Sequence, residues 1–182
     1  MKKLFTGTMI SATMLAMCSA SWAADSGAKE NYKAAESRAD SEYKIASAKC
    51  DALTGNAKDV CVAEAKLERT RTKAEAKAAY ENTPKARSKA RSDIADAEYA
   101  VAKQKCDDRS GNDKDVCLKE AKAAKEAAVA NAKAGKEIAN ARHEAAETKT
   151  DANYKVALEK CDGLAGAAKD QCVATAKAQY GK

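Results

Sequence analysis

The chain has 182 residues, with 33 basic against 27 acidic ones for a net charge of +6, and its aromatic content is 4%. Charges of both signs are interleaved, so the clustered basic stripe of a nucleic-acid surface is absent. Alanine makes up about a quarter of the chain, and Lys, Arg, Glu and Asp supply most of the polar remainder, a composition that signals long helices or coiled coils around a thin core.

Met1-Lys2-Lys3 forms a short positive n-region, Leu4 to Met17 is uncharged and largely apolar, and Ser21-Trp22-Ala23 places small residues for cleavage before Ala24. This three-part pattern predicts a secretory signal peptide over residues 1–23 and a periplasmic location. The apolar stretch is too short, and too broken by Thr6, Gly7 and Thr8, to span a bilayer. Leu15-Ala16-Met17-Cys18 offers a second reading, a lipoprotein cleavage box with Cys18 acylated, from which Met17 departs. No long apolar stretch follows residue 23, so no transmembrane helix is expected in the mature chain. Loss of Lys2 and Lys3 with the leader leaves 31 of the 33 basic residues against 27 acidic ones, a net of +4. The expected partner is an envelope protein or polymer, with no nucleic acid.

Three segments then align without gaps: Tyr43 to Lys66, Tyr99 to Lys122 and Tyr154 to Lys177, starting 56 and 55 residues apart. A fixed period marks a repeat architecture in which each copy is one supersecondary unit. Ala39, Tyr43, Ala46, Cys50 and Leu53 step by four and three, as one helix face requires. Ala95, Tyr99, Ala102 and Cys106 repeat the stripe, as do Tyr154, Ala157, Cys161 and Leu164. The tyrosines read as the largest core residues near each turn. Gly55, Gly111 and Gly166 follow, placed where a turn wants a left-handed residue. Asn56 and Asn112 are expected to cap the next helix, with Asp59, Asp115 and Asp170 in its first turn and Lys49, Lys105 and Lys160 at the end of the preceding one. Stripes rich in small residues on the outgoing helices (Val62, Ala65, Arg69, Thr72, Ala76 and Ala79, then Leu118, Ala121, Lys125, Ala128 and Ala132) bury little apolar area and stabilise weakly.

The predicted fold is all-α: three disulfide-stapled helical hairpins in tandem, with units over residues 24–83, 84–135 and 136–182. Thr83-Pro84 reads as an N-cap followed by proline at the first helical position. Gly135 is a softer candidate for a turn. Reversal at both positions gives an up-down bundle, the preferred expectation; reversal at neither gives an elongated helical array.

Cys50 and Cys61, Cys106 and Cys117, and Cys161 and Cys172 are each separated by ten residues, with the glycine between them. In an antiparallel hairpin such positions face each other within the roughly 4.4–6.8 Å between Cα atoms that a disulfide needs. An oxidising compartment and an even count of mature cysteines favour three local bridges. No metal site or cofactor is expected, because zinc sites want closer cysteines and more histidine than His143 alone. Calcium ligation by Asp107, Asp108, Ser110, Asn112, Asp113 and Asp115 is disfavoured because the third copy offers only Asp162 and Asp170. His143 reads as a solvent-facing helix residue. Neither a nucleophile elbow nor a phosphate-binding glycine loop is present, so no enzymatic activity is expected. Two alternatives stay open: a thiol redox or soft-metal role for unbridged cysteines, and a largely disordered hydrophilic protectant.

The repeat, in which a tyrosine, a Lys-Cys-Asp triplet, the glycine, a Lys-Asp pair and the second cysteine recur in order, resembles that of alanine- and lysine-rich exported proteins of Gram-negative bacteria, often labelled TolA-like or cell-envelope proteins. The resemblance covers all three units. TolA itself has an inner-membrane anchor, from which this chain departs. The resemblance implies a periplasmic setting and no enzymatic activity, and carries over no binding residues.

Overall fold

The computed structural model describes the backbone of residues 20–182 and the side chains of residues 27–182. The leader expected over residues 1–23 and the acylation reading of Cys18 lie outside the described side chains. Among the described residues five helices follow one another: α1 (Ala20–Cys50), α2 (Gly55–Glu81), α3 (Pro84–Cys106), α4 (Gly111–Asp162) and α5 (Gly166–Tyr180). Alanine, lysine, arginine and glutamate are strong helix formers, and each helix ends where a residue with other preferences intervenes.

The break between α2 and α3 is built from three consecutive residues. Asn82 takes the left-handed conformation (φ 45°) and its N–H donates to the Ala78 carbonyl at 3.0 Å. Thr83 is extended, and its Oγ1 accepts from the Ala86 N–H at 3.0 Å. Pro84 opens α3 at a position where its missing N–H costs nothing. The chain reverses here, as the Thr83-Pro84 pair predicts.

It does not reverse at Gly135. α4 runs unbroken for 52 residues, and Gly135 lies inside it. The two repeat junctions explain the difference. Counting back from the aligned units, Glu81 matches Glu137 and Ala86 matches Ala141, so Asn82-Thr83-Pro84 is replaced by Ile138-Ala139. All three breaking residues are gone, and the missing residue accounts for the shorter second period. Gly135 has a different role: a Cβ there would lie 3.2 Å from Nη1 of Arg91, so the glycine leaves room for the α3 guanidinium against α4.

Among the described residues each helix packs only on its neighbours in the chain, α1 on α2, α2 on α3, α3 on α4 and α4 on α5. The first four form an antiparallel up-down array, and the second half of α4 carries the third hairpin beyond it. The structure thus combines the two expected arrangements, folded back at Thr83-Pro84 and extended at Gly135.

No layer lies above another, so the core is as thin as the composition implies. Among the described residues the buried side chains are eight alanines, three cysteines and Val101, and the largest of those wholly enclosed are Cys50, Cys106 and Cys161. Leu53 and Leu164, read as continuing the apolar stripes, are exposed instead. They lie in the links after the first helix of their units, past the point where a partner helix covers the face. The three repeat tyrosines are half-buried rather than core residues. Arg69 lies over the Tyr43 ring at 5.1 Å and Lys125 over the Tyr99 ring at 5.3 Å, while Tyr154 meets Tyr180 at 6.1 Å. The ring thus anchors the outgoing helix through its π face, with its edge left wet.

Ion pairs set the register of neighbouring helices. Asp40 of α1 accepts from Arg69 Nε at 2.6 Å and Lys73 Nζ at 3.1 Å of α2. Glu64 pairs with Lys105 at 2.8 Å and Arg71 with Glu98 at 3.2 Å between α2 and α3, and Asp96 with Lys125 at 2.8 Å between α3 and α4. Such exposed pairs stabilise little singly, but they discriminate against slipped pairings.

Candidate functional site

The feature that recurs three times is the stapled turn. In each unit the first helix brings a cysteine to its last turn, fully buried against the second helix. The Leu53, Arg109 and Leu164 N–H groups then donate to the carbonyls of Cys50, Cys106 and Cys161, each at 3.0 Å, closing one turn past the cysteine. Gly55, Gly111 and Gly166 adopt φ of 58°, 55° and 56°, a region that side chains with a Cβ disfavour, and start the second helix. Six residues on, the second cysteine faces back. The pairs Cys50–Cys61, Cys106–Cys117 and Cys161–Cys172 are disulfides with Cα separations of 5.7, 5.7 and 5.6 Å.

A second clasp crosses each turn, which the sequence reading above does not anticipate. Lys58 reaches Asp51, Lys114 reaches Asp107 and Lys169 reaches Asp162, each at 2.9 Å. The Asp162 carboxylate raises the Lys169 ammonium pKa above the ordinary lysine value. The signal was available, since an aspartate follows each first cysteine and a lysine sits seven residues later in every copy. Asp107, one of the residues weighed above for calcium, is the carboxylate of the second clasp.

The capping roles differ from those expected. Thr54, Ser110 and Ala165 precede the second helices in extended conformation, and none makes a side-chain cap hydrogen bond. Asn56 is the second residue of α2 and instead donates through Nδ2 to the Gln104 carbonyl at 2.9 Å, satisfying an end group of α3. Asn112 holds the same place in α4. Asp59, Asp115 and Asp170 lie one residue past the first turn, where Asp113 is the acidic residue of α4. Lys49, Lys105 and Lys160 do occupy last turns.

The first cysteine of each bridge is wholly enclosed, while Cys61, Cys117 and Cys172 are half-buried. Among the described residues no three His, Cys, Asp or Glu side chains gather to hold a metal ion. His143 is exposed on α4, 3.4 Å from Glu147 one turn on. A surface groove of about 650 Å³ lies between α4 and α5 beside the third bridge. No described helix is long and apolar enough to cross a membrane. No protein-family model matches the chain, and neither a curated protein nor a solved structure matches it significantly.

Proposed function

We propose that the chain is a non-enzymatic helical-repeat protein of the periplasm, with a structural, partner-binding or stress-protective role in the cell envelope. The observation that carries this reading is that the three largest enclosed side chains are all bridged cysteines. A scaffold whose core is alanine and disulfide depends on an oxidising compartment to hold its hairpins closed. The signal-peptide pattern over residues 1–23 supports the same compartment, as does the resemblance of the cysteine repeat to exported envelope proteins. The closure of the same local bridge in all three units, in a core otherwise made mainly of alanine, favours a staple over a thiol couple. The regular packing of α1 to α4 favours a folded scaffold over a disordered protectant. Long exposed helix faces of mixed charge suit a protein or polymer partner better than a small ligand.

The test is an intact mass on protein taken from fractionated cells, alkylated before and after reduction. The expected result is a chain in the periplasmic fraction that starts at Ala24 and has six thiols protected until reduction. Free thiols in freshly isolated protein, or a chain confined to the cytoplasm, would overturn the reading.

A further inference from the structure

α4 displays on one helix both halves of an interface that this chain already forms elsewhere. Between α2 and α3 the seam is an alanine cluster, Ala78, Ala86 and Ala90, with Ala74 packed against it. The repeat offsets, 56 residues on the outgoing side and 55 on the incoming side, give their counterparts as Ala130, Ala134, Ala141 and Ala145. All four are alanine, all lie in α4, and all are exposed. They are uncovered because Ile138-Ala139 replaces the residues that reverse the chain at Asn82-Thr83-Pro84, so the third unit continues outward. From Asn140 to Asn153 every residue of α4 is exposed.

We propose that this face of α4 binds the same face of a second copy of the chain, giving an antiparallel two-fold dimer. The α2–α3 contact supplies the register: Ala74, Ala78, Ala86 and Ala90 pack in one cluster, and two antiparallel helices joined at Asn82-Thr83 set Ala78 against Ala86 and, one turn further out, Ala74 against Ala90. Transferred to α4, Ala130 meets Ala145 of the partner subunit and Ala134 meets Ala141 of the partner subunit. The reciprocal contacts are then the same, which is the condition for a closed isologous interface. The two-fold axis falls between Glu137 and Ile138, close to the middle of the helix, and Ile138 is itself an exposed apolar residue.

Of the two α2–α3 ion pairs, Arg71–Glu98 has the uncharged counterparts Ala127 and Asn153, and the other is kept. The Glu64–Lys105 pair of the α2–α3 contact has Glu120 and Lys160 as its counterparts, again acid and base. Among the described residues neither forms an ion pair within its own chain. Asn56, which donates to the end of α3, has Asn112 as counterpart. Val101, buried between Glu98 and Lys105, has Val156, which is exposed. The partner helix would take, beside the third unit, the place that α2 takes beside α3, so the established row of antiparallel helices continues across the axis. A face whose complement is already present in the same chain commits to a second copy rather than to an unrelated protein.

The test is the solution mass of the oxidised chain by sedimentation velocity, with two kinds of variant. Twice the monomer mass is expected for the unmodified chain. Ala134→Glu and Ala141→Glu each place a charge in the seam at positions exposed in the single chain. Each should therefore halve the mass while leaving helicity unchanged. Lys160→Glu should weaken the dimer, and adding Glu120→Lys should restore it. The proposal is overturned by a monomeric unmodified chain, whether extended or folded back on itself. It is equally overturned by a dimer that both Ala→Glu variants leave intact.

Discussion

Val101 in α3 is 6% exposed, whereas Val156, the same residue type at the same place one repeat later, is 54% exposed. Glu98 and Lys105, one turn to either side of Val101 on its face of α3, both reach α2. Val156 borders the open groove between α4 and α5, where α5 alone flanks it. Ile45, at the equivalent place in the first unit, is 60% exposed for a parallel reason, because α1 packs on α2 alone. One repeat position is thus core or surface according to how many helices flank it.

The junction at Ile138-Ala139 should control the shape of the whole molecule. Replacing these two residues by Asn-Thr-Pro restores the left-handed residue, the cap and the proline that end α2. Proline inside a helix costs about 3 kcal/mol, so an unbroken α4 could not persist. The expected outcome is a hairpin that folds the third unit back onto the second, seen as a shorter maximum dimension in small-angle scattering. An unchanged profile would show that other residues hold α4 straight.

Loss of one bridge should release a unit in proportion to its isolation. α5 has 15 residues and packs on α4 alone, and free helices below about 12–15 residues are marginal in water. Replacing both Cys161 and Cys172 by alanine removes about 3 kcal/mol of chain-entropy stabilisation. Amide hydrogen exchange should then show α5 unprotected while α2 and α3 remain protected. The same change at Cys106 and Cys117 should lower overall stability but keep α3 protected, because α2 still holds it.

Two kinds of glycine should respond to alanine with opposite signs. At Gly111 no atom lies within 4 Å of an added Cβ, so the cost is the left-handed backbone alone, about 1 kcal/mol. Asparagine there should cost less, since it tolerates that conformation. Gly135 is helical, and an added Cβ meets only the movable end of Arg91. Gly135→Ala should be neutral or stabilising by up to about 1 kcal/mol. Urea denaturation of the three variants checks the order.

Acid should destabilise the molecule through particular carboxylates. Lys73 and Arg69 hold the Asp40 carboxyl below the ordinary aspartate value, and Lys182 does the same for Asp151. A carboxyl with a lowered folded-state pKa contributes its full stabilisation above the unfolded value, near about 4. That contribution is lost as pH falls through the folded value, because the unfolded chain binds protons first. Asp40→Asn with Asp151→Asn should therefore flatten the fall in melting temperature between neutrality and about pH 2. Lys125, Lys169 and Lys182, raised by Asp96, Asp162 and Asp151, act in the other direction. Their contribution is present below the ordinary lysine value and lost as pH rises through the raised one.

Features that depend on neighbours along the chain were legible from the residues alone. The three hairpins, the pairing of Cys50 with Cys61 and its repeats, the left-handed glycines and the break at Thr83-Pro84 all follow from spacing relative to the helix period and from local backbone preferences. The Asp51–Lys58 clasp was equally written in the repeat. The tertiary structure alone decided which faces are covered, because that depends on helices distant in sequence. Leu53 and Leu164 continue an apolar stripe in register yet lie beyond the reach of a partner helix. The repeat tyrosines stop half-way because single-layer packing offers a cation or another ring on one side and water on the other. Gly135 looked like a turn by residue type, but a glycine in a helix costs only about 1 kcal/mol, and alanines on both sides with no cap or proline let the helix continue. Burial is a property of the neighbour, and one layer of helices leaves half of each repeat without one.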